Sequence, residues 1–154
     1  MDASLAKKKA IRLLTARDRT VHELRTRLVA DYDETVVDDV LAYLREMDFV
    51  NDERFARNYV DQRNRLRPTG NLGLRRELHA KGISSEIIDM VMNSPEEELE
   101  LAKRLLESRA PSLMTLSREV RLRRAYGLLE RRGFPWQTAQ AAVEQVLDSD
   151  LPMD

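Results

Sequence analysis

The stretch that decides the fold runs from Asp48 to Ser85. It reads Asp48-Phe-Val-Asn-Asp-Glu-Arg-Phe-Ala-Arg-Asn-Tyr-Val60, then Gln62-Arg-Asn-Arg-Leu-Arg-Pro68, then Leu74-Arg-Arg-Glu-Leu-His-Ala-Lys-Gly-Ile-Ser84. Asn51 and Asp52 are both helix-capping residues, whose side-chain oxygens accept a hydrogen bond from a free backbone N–H of the first turn. Phe55, Ala56, Tyr59 and Val60 recur at helical spacing and make one apolar face. Arg57, Arg63, Arg65 and Arg67 fall on the other faces. Pro68 stops the helix, because the residue before a proline avoids the α region. A second helix carries Leu74 and Leu78 on one side, with Arg75, Arg76 and Lys81 elsewhere. Gly82 closes it, the usual residue where the chain turns left-handed after a helix.

The same unit extends in both directions. Upstream, residues 4–15 form a helix with Ala6, Ala10, Leu13 and Leu14 as its stripe. Thr20 and Glu23 form a capping box for the next helix, which carries Val21, Leu24 and Leu28. A third helix carries Val37, Val40, Leu41, Leu44 and Met47. The middle helices are expected over 52–67, about 72–81 and 85–92. Downstream, Ser94, Pro95 and Glu97 open a helix carrying Leu101, Ala102, Leu105 and Leu106. Pro111 is expected to end that helix. The next helix spans 117–132, with Leu122, Ala125, Tyr126 and Leu129 inward. After the turn Gly133-Phe134-Pro135, Ala139, Ala142, Val143, Val146 and Leu147 line the last one.

These units align in register. Leu24 and Leu28 correspond to Leu74 and Leu78, and then to Ala125 and Leu129. Lys81-Gly82-Ile83 corresponds to Arg132-Gly133-Phe134. Self-similarity at a spacing near 50 residues is the signature of a repeat architecture. The expected fold is therefore all-α: three tandem three-helix repeats, helix-turn-helix-like, over 1–50, 51–93 and 94–154, forming an elongated, curved rod.

Composition agrees. Of 154 residues, 42% are hydrophobic but only 5% aromatic, so the core must be aliphatic. The 34% of charged residues, with few glycines and prolines, suit helices. There is no cysteine, which excludes disulfides and thiolate metal sites. No apolar run reaches the roughly 18 residues of a membrane span. Lys7-Lys8-Lys9 has no apolar segment behind it, so it does not read as a signal peptide. The expected setting is soluble and cytoplasmic, with no membrane contact.

Net charge is −1, but the charge is segregated. Arg54 to Lys81 carries a local +6 and Ser117 to Gly133 a local +4, while acid collects at Asp31 to Asp39 and Glu96 to Glu100. Such separation suits a molecule with one positive and one negative surface. The plainer alternative is solvated helix faces whose charges pair at i,i+4.

No catalytic constellation is visible, and the chain does not read as an enzyme. His22 and His79 stand apart, and no nucleophile elbow, metalloprotease helix or P-loop accompanies them. Asp31, Asp33, Glu34, Asp38 and Asp39 lack the spacing of a calcium loop. Acids favoured at a helix start explain them better. No metal and no cofactor are expected.

Arginines are the candidates for function. They number 21 against five lysines, and their planar forks bind phosphate or carboxylate bidentately. The candidate contacts to DNA or an acidic protein surface are Arg57, Arg63, Arg65, Arg67, Arg75, Arg76, Lys81, Arg121, Arg124, Arg131 and Arg132. Phe55 and Tyr59, the aromatics near them, are expected in the core, so base stacking is not expected. Phosphate contacts alone imply weak, nonspecific, salt-sensitive binding to single- or double-stranded DNA. Trp136 reads as a packing anchor for the last helix, with exposure to a partner as the alternative.

The central stretch resembles a known family. Phe49 to Ala56 is similar to the motif of the bacterial RecX family: aromatic, aliphatic, Asn or Asp, Asp, two variable positions, aromatic, small. Leu74-Arg75-Arg76-Glu77-Leu78-His79-Ala80-Lys81-Gly82-Ile83 resembles its second motif. The N-terminal segment, with Leu13-Leu14, Arg17, Arg19-Thr20, Glu23-Leu24 and Leu28, resembles its N-terminal pattern. Asp52, Phe55, Leu74, Glu77, Leu78 and Gly82 match the motifs as structural positions, and Asp48 stands where the family usually has glycine. The resemblance implies a regulator of the RecA recombinase, one that binds the RecA–DNA filament and inhibits its recombinase, ATPase and co-protease activities. A stoichiometric, monomeric binder is expected. The alternative is a sequence-nonspecific, architectural DNA-binding protein without a recombinase partner.

Overall fold

A computed structural model describes residues 2–148 of the chain. Among the described residues lie nine helices and no strand: α1 (Asp2–Ala16), α2 (Val21–Leu28), α3 (Glu34–Glu46), α4 (Asp52–Leu66), α5 (Asn71–Ala80), α6 (Ser85–Val91), α7 (Pro95–Leu113), α8 (Arg118–Arg131) and α9 (Trp136–Val146). The all-α expectation is met.

Local sequence chemistry sets most helix starts. Thr20 Oγ1 accepts from the Glu23 N–H, and Glu23 Oε1 accepts from the Thr20 N–H, closing the box before α2. Ser94 and Glu97 repeat the arrangement before α7. Asn51 caps α4, its Oδ1 accepting from the Arg54 N–H at 2.9 Å. Asp52, the other candidate cap, instead accepts from the Val21 N–H at 2.9 Å.

Two expectations are corrected. Pro111 lies inside α7, which continues to Leu113. A proline loses its own N–H bond and its ring crowds the carbonyl four residues back. Here that loss falls in the final turn, and the continuation buries Leu113 in a core. Met47 is not on the buried stripe of α3. It caps the helix end and is 50% exposed, because the chain turns sharply at the next residue.

The described chain forms two compact units. The first comprises residues up to Tyr59 together with Leu78–Val91; the second comprises Val60–Glu77 and the residues from Met92 onward. Both α4 and α5 thus contribute residues to each unit. The core of the first unit joins Ala6, Ala10 and Leu13 of α1 to Leu24 and Leu28 of α2 and to Val37, Val40, Leu41 and Leu44 of α3, with Val50. In the second unit, Leu101, Ala102, Leu105 and Leu106 of α7 pack with Ala125 and Leu129 of α8, Phe134, and Ala139, Ala142 and Val143 of α9. Each fully buried leucine or valine contributes about 1.5–3 kcal/mol of apolar transfer.

Each unit also contains one helix start docked on a helix end. In the first, the Thr20 hydroxyl donates to the Lys81 carbonyl at 2.7 Å. Gly82, at φ 80, sits so close that a Cβ there would lie 2.2 Å from the Cβ of His22. In the second, the Gly70 N–H donates to the Arg132 carbonyl at 2.7 Å and the Leu72 N–H to the Gly133 carbonyl at 3.1 Å. A carboxylate completes each junction: Asp52 takes the Val21 N–H and Glu98 takes the Asn71 N–H. In the second junction free N–H groups at one helix start are met by free carbonyls at another's end, and in the first a hydroxyl donates to such a carbonyl. Burial raises the titration of Asp52 and Glu98 above the usual carboxylate range, and the backbone N–H bond to each opposes the rise.

Candidate anion-binding surface

The candidate cations fall into distinct environments. Arg57 Nε lies 3.3 Å from Glu53, one turn back on α4. Arg63 Nε lies 3.0 Å from Glu77, and Lys81 Nζ 3.8 Å from Glu23. Arg121 folds back onto the end of α7 and the turn after it, donating to the Leu113 carbonyl at 3.4 Å and the Leu116 carbonyl at 3.1 Å. On α5, Arg75 is half-buried and Arg76 exposed. These side chains hold the surface together or stand apart from the main concentration of charge.

That concentration lies in the second unit. A groove of about 490 Å³ is lined by Arg65, Arg67, Arg104, Arg109 and Arg132, with Leu66, Pro68, Leu105 and Ser108. A second, of about 610 Å³, is lined by Arg109, Arg123, Arg124 and Arg131, with Ser112, Leu113, Gly127 and Leu128. Arg109 belongs to both, and among the described residues neither wall contains a carboxylate. The structure therefore brings together Arg65, Arg67, Arg124, Arg131 and Arg132 of the sequence candidates.

The electrostatics of Arg132 report the crowding. Its titration is lowered first by burial and then by the charges of Arg67, Arg109 and Arg63. Its Nη1 donates to the Pro68 carbonyl at 2.8 Å, which fixes the guanidinium at the groove wall. Mutual repulsion among such fixed cations is relieved by an anion seated between them.

Arg104, Arg109 and Arg123 were not among the sequence candidates. A signal existed: α7 begins with Glu96, Glu97 and Glu98 and carries Arg104 and Arg109 further along. Sorting of charge along one helix marks a positive end even where the net charge of the helix is small.

The aromatics also differ from expectation. Phe55 and Tyr59 are half-buried, not core; their rings stack 6.2 Å apart, with Lys81 Nζ within 5.8 Å and 5.6 Å of the two centroids. Trp136 is not a buried anchor: it is 63% exposed, at the first position of α9, beyond the edge of the core. One face of its indole stacks on Tyr126, centroids 4.8 Å apart and planes 24° from parallel. Among the described residues no group of three or more His, Cys, Asp or Glu side chains is placed to hold a metal ion. No described helix is long and apolar enough to cross a membrane.

Fold and site together define an all-helical protein of capped three-helix units that gathers arginine into acid-free grooves. Three profiles of one family match the chain in order: RecX, first three-helix domain, at residues 6–44; second three-helix domain, at 51–92; and third three-helix domain, at 96–143. The chain is 32% identical over 143 residues to the regulatory protein RecX of Streptomyces coelicolor, covering 91% of this chain and 76% of the relative. It is 33% identical over 153 residues to that of Corynebacterium efficiens, covering 94% and 73%. The crystal structure of RecX from Lactobacillus salivarius superposes with a TM-score of 0.86 at 21% identity, over 94% of this chain and 96% of that one. The chain belongs to the RecX family, whose members are named as regulatory proteins.

Proposed function

We propose that this protein is a stoichiometric, non-catalytic regulator of the RecA recombinase. It binds the RecA–DNA filament in the cytoplasm as a monomer and lowers its recombinase, ATPase and co-protease activities. The observation that carries the reading is the pair of arginine-lined, acid-free grooves in the second unit, set in a chain of the RecX family. Both DNA phosphates and acidic protein surface complement such a wall, and a filament offers both.

The test is DNA-stimulated ATP hydrolysis by preformed RecA filaments, with the protein titrated in. A dose-dependent fall at equal or lower ratios is expected. The double variant Arg67→Glu with Arg109→Glu, both side chains exposed, is expected to need about tenfold more protein for the same effect. Its helix content and melting temperature should match the wild type. An unchanged hydrolysis rate alongside salt-sensitive binding to bare DNA would replace the filament reading with that of a free-standing DNA-binding protein.

A further inference from the structure

We infer that Trp136 is a stacking platform for unpaired bases of a single-stranded polynucleotide whose phosphates lie along the arginines of α8. The inference rests on the reading above in one respect, that the grooves take a nucleic-acid backbone. It adds which form they take and which residue selects it.

Trp136 offers a large flat apolar surface in an unusual setting. Indoles are normally buried over most of their area. This one has one face on Tyr126 and remains 63% exposed. It is carried on a preset turn: Pro135, at φ −64, caps α9 immediately before it. The ring is thus held on a helix start, backed by a second ring.

The helix that backs this platform, α8, also carries arginines. Tyr126 lies three residues after Arg123, so the two side chains are neighbours on one face of α8. Trp136 follows Arg132 by four residues, which keeps their Cα atoms within about 14 Å. Arg123 and Arg132 each line an acid-free groove. The acids that bear on Tyr126, Glu144 and Asp148, act on its hydroxyl, and Asp148 is paired with Arg118 at 3.8 Å. A polyanion drawn to the α8 arginines can then reach, on the same segment of chain, an aromatic face.

That combination distinguishes strands. A duplex presents phosphates but hides its base faces in the stack. An unpaired strand presents both, and every base has a face that an aromatic ring can cover. The arginines alone would bind either form; the exposed indole favours the single strand.

The chain has a single tryptophan, so its intrinsic fluorescence reports this site alone. Titration with single-stranded oligothymidylate should quench it saturably. A blunt duplex of the same length should bind, by anisotropy of a labelled strand, without matching quenching. Trp136→Ala should weaken oligothymidylate binding about tenfold and duplex binding less than twofold, with helix content unchanged. Three outcomes overturn the inference: single-strand binding without quenching, equal quenching by duplex, or full single-strand affinity in the variant. Absence of single-strand binding overturns it too. If any of these occurs while the wild type still slows filament ATP hydrolysis, the stacking platform falls and the filament reading stands. Quenching by single strands with no effect on the filament gives the converse.

Discussion

Asp48 adopts φ 60, alone among described non-glycine residues in having positive φ. Its carboxylate accepts from Asn51 Nδ2 at 3.0 Å and from Arg54 Nη1 at 2.8 Å, which explains how an aspartate holds a left-handed position that ordinarily favours glycine. Short polar side chains tolerate the left-handed region when they bond locally. Asp48→Gly removes the strain along with these exposed bonds and should melt no lower than wild type. Asp48→Ala keeps the strain, loses the bonds and should melt below both in a thermal scan. Glu98 gives a second test. Burial raises its folded-state titration above the unfolded value, so its stability contribution is fullest in acid and is lost as pH rises through the folded value. Glu98→Gln keeps an acceptor for the Asn71 N–H without the buried charge. Denaturant titrations should find it at least as stable as wild type at pH 7, with that advantage shrinking as the buffer is taken below the ordinary glutamate range. Glu98 itself was hard to read from sequence, because it sits in an acidic run whose other members face solvent.

Helices differ in how much of their chemistry is local, and that decides what the sequence could reveal. The boxes at Thr20 and Ser94 span four residues each, so spacing alone exposes them. The resemblance of Lys81-Gly82-Ile83 to Arg132-Gly133-Phe134 was legible as a repeat, but its role in docking a helix start was not, since the partner lies about 60 residues away in sequence. The arginine grooves were half legible for the same reason: α4, α7 and α8 supply their walls, and only tertiary packing brings these together. The docking geometry makes a sharp contrast between two glycines of the same segment. Gly133 has φ 81, and a Cβ on it would lie 2.2 Å from the Gly73 nitrogen, a backbone atom that cannot step aside. Gly133→Ala should cost about 2–4 kcal/mol. Gly127, inside α8, meets only the guanidinium of Arg131 at 3.2 Å, which can move. Gly127→Ala should gain about 0.5–1 kcal/mol from helix propensity. Paired urea unfolding curves test both signs at once.

At the scale of the whole chain, two partitions compete. Family profiles divide it into three, whereas compactness divides it in two, and α4 and α5 are cut by the second division. The cores suggest how the two coexist. Residues 94–154 contain α7, α8 and α9 and the whole buried cluster from Leu101 to Leu147, so their apolar faces are already covered by one another. Residues 1–50 likewise hold the entire cluster from Ala6 to Val50. Residues 51–93 are different. The N–H groups of Gly70, Asn71 and Leu72 bond to Arg132, Glu98 and Gly133, and the Lys81 carbonyl bonds to Thr20. All those partners lie outside the segment, which is also near the length at which a chain cannot bury enough surface to fold unaided. As separate polypeptides, 1–50 and 94–154 should show cooperative helical melting by circular dichroism, and 51–93 should show little helix. A cooperative transition in isolated 51–93 would mean that the middle repeat is self-sufficient and that the junctions only align it. The expected result would mean that the terminal repeats fold the middle one, so that a change at Glu98 or Gly133 reaches the family's central motif without touching it.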